Sequence, residues 1–104
     1  MDLSEVRTTI RLGCYDEALA MLLSIDPPPK RDAVYLNLLG VTYEGQRNWK
    51  VARRCYGKAI GADRRYAPAQ QNMRRWYELF TFGRSAEHRA LGDERSALAA
   101  VNGR

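Results

Sequence analysis

The segment LNLLGVTYEGQRNWKVARRCYGKAIGAD, residues 36–63, carries the clearest structural pattern in the chain. Its first half places apolar or small residues at positions i, i+3, i+4 and i+7, which is the spacing of one helical face. Its second half has a similar stripe, and a polar turn at residues 45–48 separates the two. The segment therefore predicts two helices that pack through Leu36, Leu39, Gly40 and Tyr43 on one side and Ala52, Cys55, Tyr56, Ala59 and Ile60 on the other.

The same order of residue types returns when the chain is shifted by 34 residues. Ala18 then falls on Ala52, Leu39 on Met73 and Tyr43 on Tyr77. A period of this length suits a repeated pair of helices. The periodicity, together with a break at Pro27-Pro28-Pro29, a helix start at Asp32 and a first-turn proline at Pro68, predicts helices over 2–12, 16–25, 33–45, 48–62 and 67–81.

Residues 36–63 resemble one complete tetratricopeptide repeat. The resemblance rests on a bulky Leu36, the Leu39-Gly40 pair, Tyr43 and, in the second helix, Ala52, Tyr56 and Ala59. Gly40 and Ala52 are small, so we expect the paired helices to approach closely there. In the following repeat Arg74 takes the position of Gly40, which argues against a tightly packed helix after residue 81.

The resemblance implies an all-α fold, a right-handed stack of antiparallel helical hairpins with about two and a half repeats. Residues 1–83 are the predicted helical repeat domain. Residues 84–104 are predicted to be a degenerate last repeat, forming either a capping helix or a flexible tail. A short helix from Asp93 through Val101 is one form that this tail could take.

Composition and charge favour an ordinary helical domain of the cytoplasm. The 104 residues contain no long apolar run and no basic, apolar leader, so we expect neither membrane insertion nor secretion. Cys14 and Cys55 lack metal-ligand spacing and are expected to pack as small apolar residues. Residues 30–75 hold eleven Lys or Arg against three acids, which makes the middle of the chain basic.

No constellation in the sequence is typical of an enzyme. His88 is the single histidine, and it has neither an adjacent Ser or Cys nucleophile nor a Gly-rich phosphate loop near it. We therefore expect no catalytic residues, no metal ligands and no cofactor.

The resemblance implies that the first helix of each repeat contributes to a concave surface that binds a peptide. Some family members clamp a C-terminal carboxylate there with Lys, Asn and Arg. The matching places here hold Ser4, Thr8, Leu38, Pro68 and Asn72, so that type of ligand is disfavoured. The exposed inner positions would be Ser4, Thr8, Arg11, Asn37, Val41, Glu44, Gln71, Arg75 and Glu78, and an ordinary solvated surface is the alternative for each.

Two other surfaces were predicted from the sequence. Lys50, Arg54 and Lys58 repeat every four residues on the outside of the second helix of residues 36–63. A solvated face explains them, and an acidic protein or a nucleic acid bound there is the alternative. RNA is disfavoured because most nearby aromatic residues lie on packing stripes. At the end of the last predicted helix, Trp76, Phe80 and Phe82 are expected to be partly exposed unless the tail or a second chain covers them, while Tyr77 is expected in the core.

These observations predict a non-catalytic adaptor that binds another protein or peptide through its concave face. The alternatives are a homodimer formed through the aromatic end and a nucleic-acid binder using the basic stripe.

Overall fold

A computed structural model describes residues 2–94 of the chain, and all regular secondary structure in this range is helical. The bounds lie within two residues of those predicted from the periodicity, which confirms the all-α fold class. The five helices are α1 (Ser4–Arg11), α2 (Tyr15–Leu23), α3 (Ala33–Gly45), α4 (Trp49–Ala62) and α5 (Ala67–Phe82).

Local sequence signals explain where α3 and α5 begin. The Asp32 carboxylate accepts hydrogen bonds from the backbone N–H groups of Val34 at 2.8 Å and Tyr35 at 3.1 Å, which caps α3. Pro68 lies in the first turn of α5, where its missing N–H costs little. Both predictions from the sequence are confirmed.

The helices pack in chain order. Each helix contacts the next one, and α3 additionally contacts α1 and α5. The helices α1, α3 and α5 are therefore neighbours, and the surface that they share is called the α1–α3–α5 face below.

The closest approach between α3 and α4 occurs at Gly40. Tyr56 is fully buried, and a Cβ atom at Gly40 would lie 2.6 Å from its Cδ1 atom. Ala52 and Ala59 are also fully buried on α4. The expectation that small residues allow these two helices to approach closely is confirmed.

Residues 83–94 form no helix, so within this range the degenerate last repeat does not continue the helical pattern. The chain instead crosses the α1–α3–α5 face. It makes side-chain contacts with α5 at Glu87, with α3 at Ala90 and with α1 at Asp93. Residues 85–94 are called the covering segment, and the predicted helix from Asp93 through Val101 lies almost entirely outside the described residues.

Candidate peptide-binding face

The backbone of the covering segment is held by the amide side chain of Asn72 on α5. Its Nδ2 atom donates to the Ala90 carbonyl at 2.8 Å, and its Oδ1 atom accepts from the Ala90 N–H at 2.8 Å. A single side chain thus satisfies both backbone polar groups of one residue. The contact uses no atom of the Ala90 side chain and requires only a residue that carries a backbone N–H group.

Two further side-chain amides also form hydrogen bonds with the backbone of the covering segment. Asn37 on α3 donates to the Ala90 carbonyl at 2.9 Å and accepts from Asn72 at 2.8 Å, so the two buried asparagines orient each other. Gln71 donates to the His88 carbonyl at 2.7 Å. Three side chains on two helices therefore hold the backbone at two points of the covering segment.

The side chain of Arg89 points toward buried polar groups. Its Nε atom donates to Glu44 at 3.0 Å, and its Nη1 atom donates to the Tyr15 hydroxyl at 2.6 Å. The guanidinium carbon also lies 5.5 Å from the centre of the Tyr15 ring, within the range of a cation–π interaction. Although burial lowers the pKa of Arg89, the hydrogen bond to Tyr15 and the charge of Glu44 raise it above its ordinary value.

Glu44 is the only fully buried acidic side chain among residues 2–94, and its polar partners offset the cost of burying its charge. It forms ion pairs with Arg75 and Arg89 and accepts a hydrogen bond from the Tyr56 hydroxyl at 3.1 Å. Burial and the neighbouring Glu44 charge raise the pKa of Tyr56 well above its ordinary value, so this phenol stays a donor. The buried Glu44 carboxylate therefore binds the Arg89 guanidinium through a charge-assisted hydrogen bond, while Arg75 provides its second cationic partner.

The apolar part of the covering segment packs into the core. Leu91 is 3% exposed and belongs to the main hydrophobic cluster, and its carbonyl accepts from Arg7 Nε at 3.0 Å. The next residue, Gly92, has φ +96°, and a Cβ atom there would overlap the Tyr66 hydroxyl. The chain therefore turns at a position where only glycine fits without strain.

The acidic end of the covering segment lies against α1. Arg11 donates to Asp93 at 2.9 Å and to Glu94 at 3.3 Å. The hydrogen bond from Arg11 lowers the pKa of Asp93 below its ordinary value. Glu94 also accepts from the backbone N–H of Leu91 at 2.8 Å, which closes the turn around Gly92.

Most of the residues predicted for a concave site do meet at this face. Arg11, Asn37, Glu44 and Gln71 contact the covering segment, and Glu78 accepts from the Ser85 hydroxyl. Arg75 reaches it through Glu44, whereas the Thr8 hydroxyl donates to Ser4 within α1. The expectation that Asn37, Val41 and Glu44 are exposed is wrong, because the covering segment lies over Asn37 and Glu44 and because Val41 belongs to the core.

Several contributors were not predicted from the sequence as site residues, among them Asn72, Tyr15 and Arg89. One signal for Asn72 was available. It lies 35 residues after Asn37, one more than the repeat length, which places the two amides at nearly the same position of successive first helices. Tyr15 and Arg89 carry no such signal, because their contact joins positions 74 residues apart.

The basic stripe of α4 is exposed as expected at Lys50, Arg54 and Lys58. The neighbouring Arg53 lies 5.8 Å from the centre of the Trp76 ring. Trp49, at the start of α4, is 40% exposed rather than packed, so one aromatic surface does adjoin the stripe.

At the aromatic end of α5, Trp76 and Tyr77 have exchanged the exposures that were predicted for them. Trp76 is buried, donates to the Trp49 carbonyl at 2.9 Å and stacks on Phe80 at 5.2 Å. Tyr77 is 47% exposed, so its assignment to the core is wrong, because Trp76 occupies the position facing α4. Phe80 and Phe82 are 75% and 71% exposed.

The two cysteines differ in exposure and form no disulfide. Cys14 is exposed rather than packed as predicted, whereas Cys55 is buried. Within residues 2–94, no group of three His, Cys, Asp or Glu side chains could hold a metal ion. In the same range, no helix has the length and apolar character needed to cross a bilayer.

Comparisons with protein-family models, with curated proteins and with solved structures find no match for this chain. Its function is therefore inferred from the contacts at the α1–α3–α5 face.

Proposed function

We propose that this chain is a non-catalytic protein-binding module whose α1–α3–α5 face holds a non-helical segment of a partner. The observation that carries the proposal is the pair of hydrogen bonds between the Asn72 side chain, which donates one and accepts the other, and the backbone of Ala90, reinforced by Asn37. A side-chain amide carries both a donor and an acceptor, so it matches the N–H and C=O groups of one backbone residue. The covering segment then occupies the site in the absence of a partner.

In this proposal the helices stack as in a tetratricopeptide array, and the α1–α3–α5 face is the concave surface. Support comes from the packing of each helix on the next and from the contacts of α3 with both α1 and α5. The fit of Tyr56 against Gly40 agrees with the motif positions of that family. The proposed activity is binding alone, with no cofactor.

The proposal requires that a partner compete with the covering segment for the same amides. Arg89→Glu would place a carboxylate beside Glu44, and Leu91→Asp would remove a buried apolar contact. The chain with both changes is called the detached variant. Arg75 still pairs with Glu44 when Arg89 leaves, so this buried carboxylate keeps a partner.

Affinity capture from the native cell extract tests the proposed function. The detached variant should retain a partner protein more strongly than the wild-type chain does, and adding Asn72→Asp should abolish retention. Arg84→Glu is the matched control, because it alters an exposed arginine just outside the covering segment. Retention that does not respond to Asn72→Asp would contradict the proposed site.

The same experiment separates the nucleic-acid alternative. A chain with Lys50→Glu, Arg54→Glu and Lys58→Glu should keep the partner under our proposal. Loss of a nuclease-sensitive partner in this triple variant alone would place binding on the basic stripe of α4.

A second candidate function, self-association, is favoured by the exposure of Phe80 and Phe82. Together with Trp49, Trp76 and Leu79, Phe80 lines an open cleft of about 300 Å³. The corresponding aromatic residues of a second copy would cover these rings. Contiguous exposed apolar surface and aromatic residues are features of protein interfaces.

A further inference from the structure

The α1–α3–α5 face does more than grip a backbone, since it also surrounds particular side chains of the covering segment. What it accepts at each position indicates the sequence of a partner that would fit. The inference below rests on the proposed function and adds a ligand class to it.

The position of Arg89 is suited to arginine and not to lysine. Two acceptors, Glu44 and the Tyr15 hydroxyl, bind different nitrogens of one planar guanidinium, and the Tyr15 ring lies beside it. A lysine ammonium is a compact charge on a single nitrogen and lacks the flat surface that matches the ring. Arginine is therefore the expected residue at this place.

The two following positions differ in size. The Ala90 backbone is held between Asn37 and Asn72, and the residue is 6% exposed, which leaves little room for a larger side chain. The next side chain, Leu91, enters the main hydrophobic cluster. A small residue followed by a large aliphatic one satisfies both surroundings.

The last two positions are set by a turn and a charge. Gly92 has a positive φ and lies against the Tyr66 hydroxyl, so a side chain there would be strained and would overlap that hydroxyl. Asp93 then forms an ion pair with Arg11. Opposite charges thus lie at the two ends of residues 89–93, where Arg89 pairs with Glu44 and Asp93 pairs with Arg11. These two ion pairs fix the direction of the bound chain.

We propose that the α1–α3–α5 face selects a non-helical protein segment that turns at a glycine, with the order arginine, small residue, large aliphatic residue, glycine, acidic residue. The covering segment carries this order at residues 89–93 and competes with the partner from within the same chain. A tethered segment has an effective concentration of about a millimolar, so a partner binds the wild-type chain more weakly than its intrinsic affinity allows.

The test is fluorescence anisotropy with a labelled synthetic peptide of the sequence SAEHRALGDE, that of residues 85–94. We expect the peptide to bind the detached variant at least about tenfold more tightly than the wild-type chain, because the intramolecular competitor is weakened. Circular dichroism checks that the detached variant stays helical. Ala90→Pro is a second means of releasing the covering segment, because it removes the N–H group that donates a hydrogen bond to Asn72.

Peptide variants then test the order of residues. Changing the arginine to lysine should weaken binding by about tenfold or more, since hydrogen bonds to charged groups are lost. Changing the leucine to alanine should have an effect of about that size, because the buried side chain is truncated. The histidine-to-alanine peptide is the control, because the His88 side chain is exposed and should not affect affinity.

The outcomes separate the two proposals. If the parent peptide binds but the lysine and alanine peptides bind within about twofold of it, the ligand class is overturned while the proposed function stands. If the parent peptide binds neither the detached variant nor the Ala90→Pro chain, the ligand class is likewise overturned. In that case the response of partner capture to Asn72→Asp decides whether the proposed function also fails.

Discussion

At Gly40 the Tyr56 ring lies directly on the α3 backbone, and this contact joins the two helices of the central segment. We predict that Gly40→Ala lowers the free energy of unfolding by about 1–3 kcal/mol, the usual cost of adding a methyl group to a packed core. The overlap with Tyr56 cannot be relieved by a flexible side-chain end, because the ring is fully buried. Urea denaturation followed by circular dichroism measures the change.

Gly57→Ala is the matched control for this prediction. Gly57 is exposed and lies in the middle of α4, where the nearest atom to an added Cβ is Met73 Cε at 3.8 Å. Alanine is more favourable than glycine in a helix by up to about 1 kcal/mol, so this substitution should stabilise the chain or leave it unchanged. Equal destabilisation by both substitutions would contradict the role of Gly40 as a contact point.

The ion pair between Arg11 and Asp93 predicts a pH effect of defined sign. The pKa of Asp93 lies below its ordinary value of 3.8, chiefly because Arg11 donates a hydrogen bond to it. The contact is therefore stabilising above that ordinary value and is lost as the pH falls through the lowered pKa. The side chains are partly exposed, so the effect on stability is small and the pKa itself is the better observable.

A carboxyl ¹³C NMR titration of the wild-type chain and of Arg11→Gln measures this pKa. In the variant we expect the pKa of Asp93 to rise toward 3.8, because the hydrogen bond from Arg11 is absent. An unchanged pKa in Arg11→Gln would show that the end of the covering segment does not rest on α1.

Among single residues, the packing positions were the more predictable ones. Gly40, Ala52 and Tyr56 follow from helical spacing, since a small residue facing an aromatic one on the next helix has one obvious arrangement. The side chains that face the covering segment did not follow in the same way. Asn37 and Glu44 do lie on the face that the covering segment crosses, but they were expected to be exposed, because nothing local indicates what covers them.

At the scale of elements, the covering segment is the part of the fold that departs from the repeat pattern. Arg74 occupies the place of Gly40 in α5 and pairs with Glu87 at 3.3 Å instead of accommodating a further packed helix. The expectation that no helix packs tightly there agrees with the irregular course of residues 83–94.

The helices were predictable to within two residues because their signals are local: apolar spacing, Asp32, Pro68 and the proline run. The covering segment was not predictable, because its hydrogen bonds join residues far apart in sequence. Ala90 and Asn37 are 53 positions apart, and Asp93 and Arg11 are 82 apart. A single sequence contains no periodic pattern that reports contacts of this kind.

We predict that Asn72→Asp releases the covering segment without melting the helices. The aspartate carboxylate can still accept from the Ala90 N–H but cannot donate to the Ala90 carbonyl, which it would repel. Amide hydrogen exchange at residues 88–92 should therefore become much faster, while exchange within α3 and α4 stays slow. Asn48→Asp is the control, because Asn48 is exposed and forms no side-chain cap on α4.

At the scale of the whole molecule, Phe80 lies beside Trp49 and Trp76, whereas Phe82 borders the start of the covering segment at residues 85 and 86. Self-association through Phe80 and Phe82 predicts a light-scattering mass of twice 11.9 kDa at high micromolar concentration. Phe80→Ser and Phe82→Ser should then restore the mass of a single chain with little loss of stability, since both rings are largely exposed. A monomeric mass for the unmodified chain at that concentration would reject this second candidate.

The central claim is that the α1–α3–α5 face binds a non-helical peptide, and an NMR titration tests it most directly. The ¹⁵N-labelled detached variant is titrated with the unlabelled SAEHRALGDE peptide and, separately, with a peptide of the same composition in scrambled order. Our account predicts shifts of the side-chain amide signals of Asn37, Gln71 and Asn72 with the first peptide, while Lys50, Arg54 and Lys58 stay unchanged. Shifts confined to α4, or equal shifts with the scrambled peptide, would contradict it.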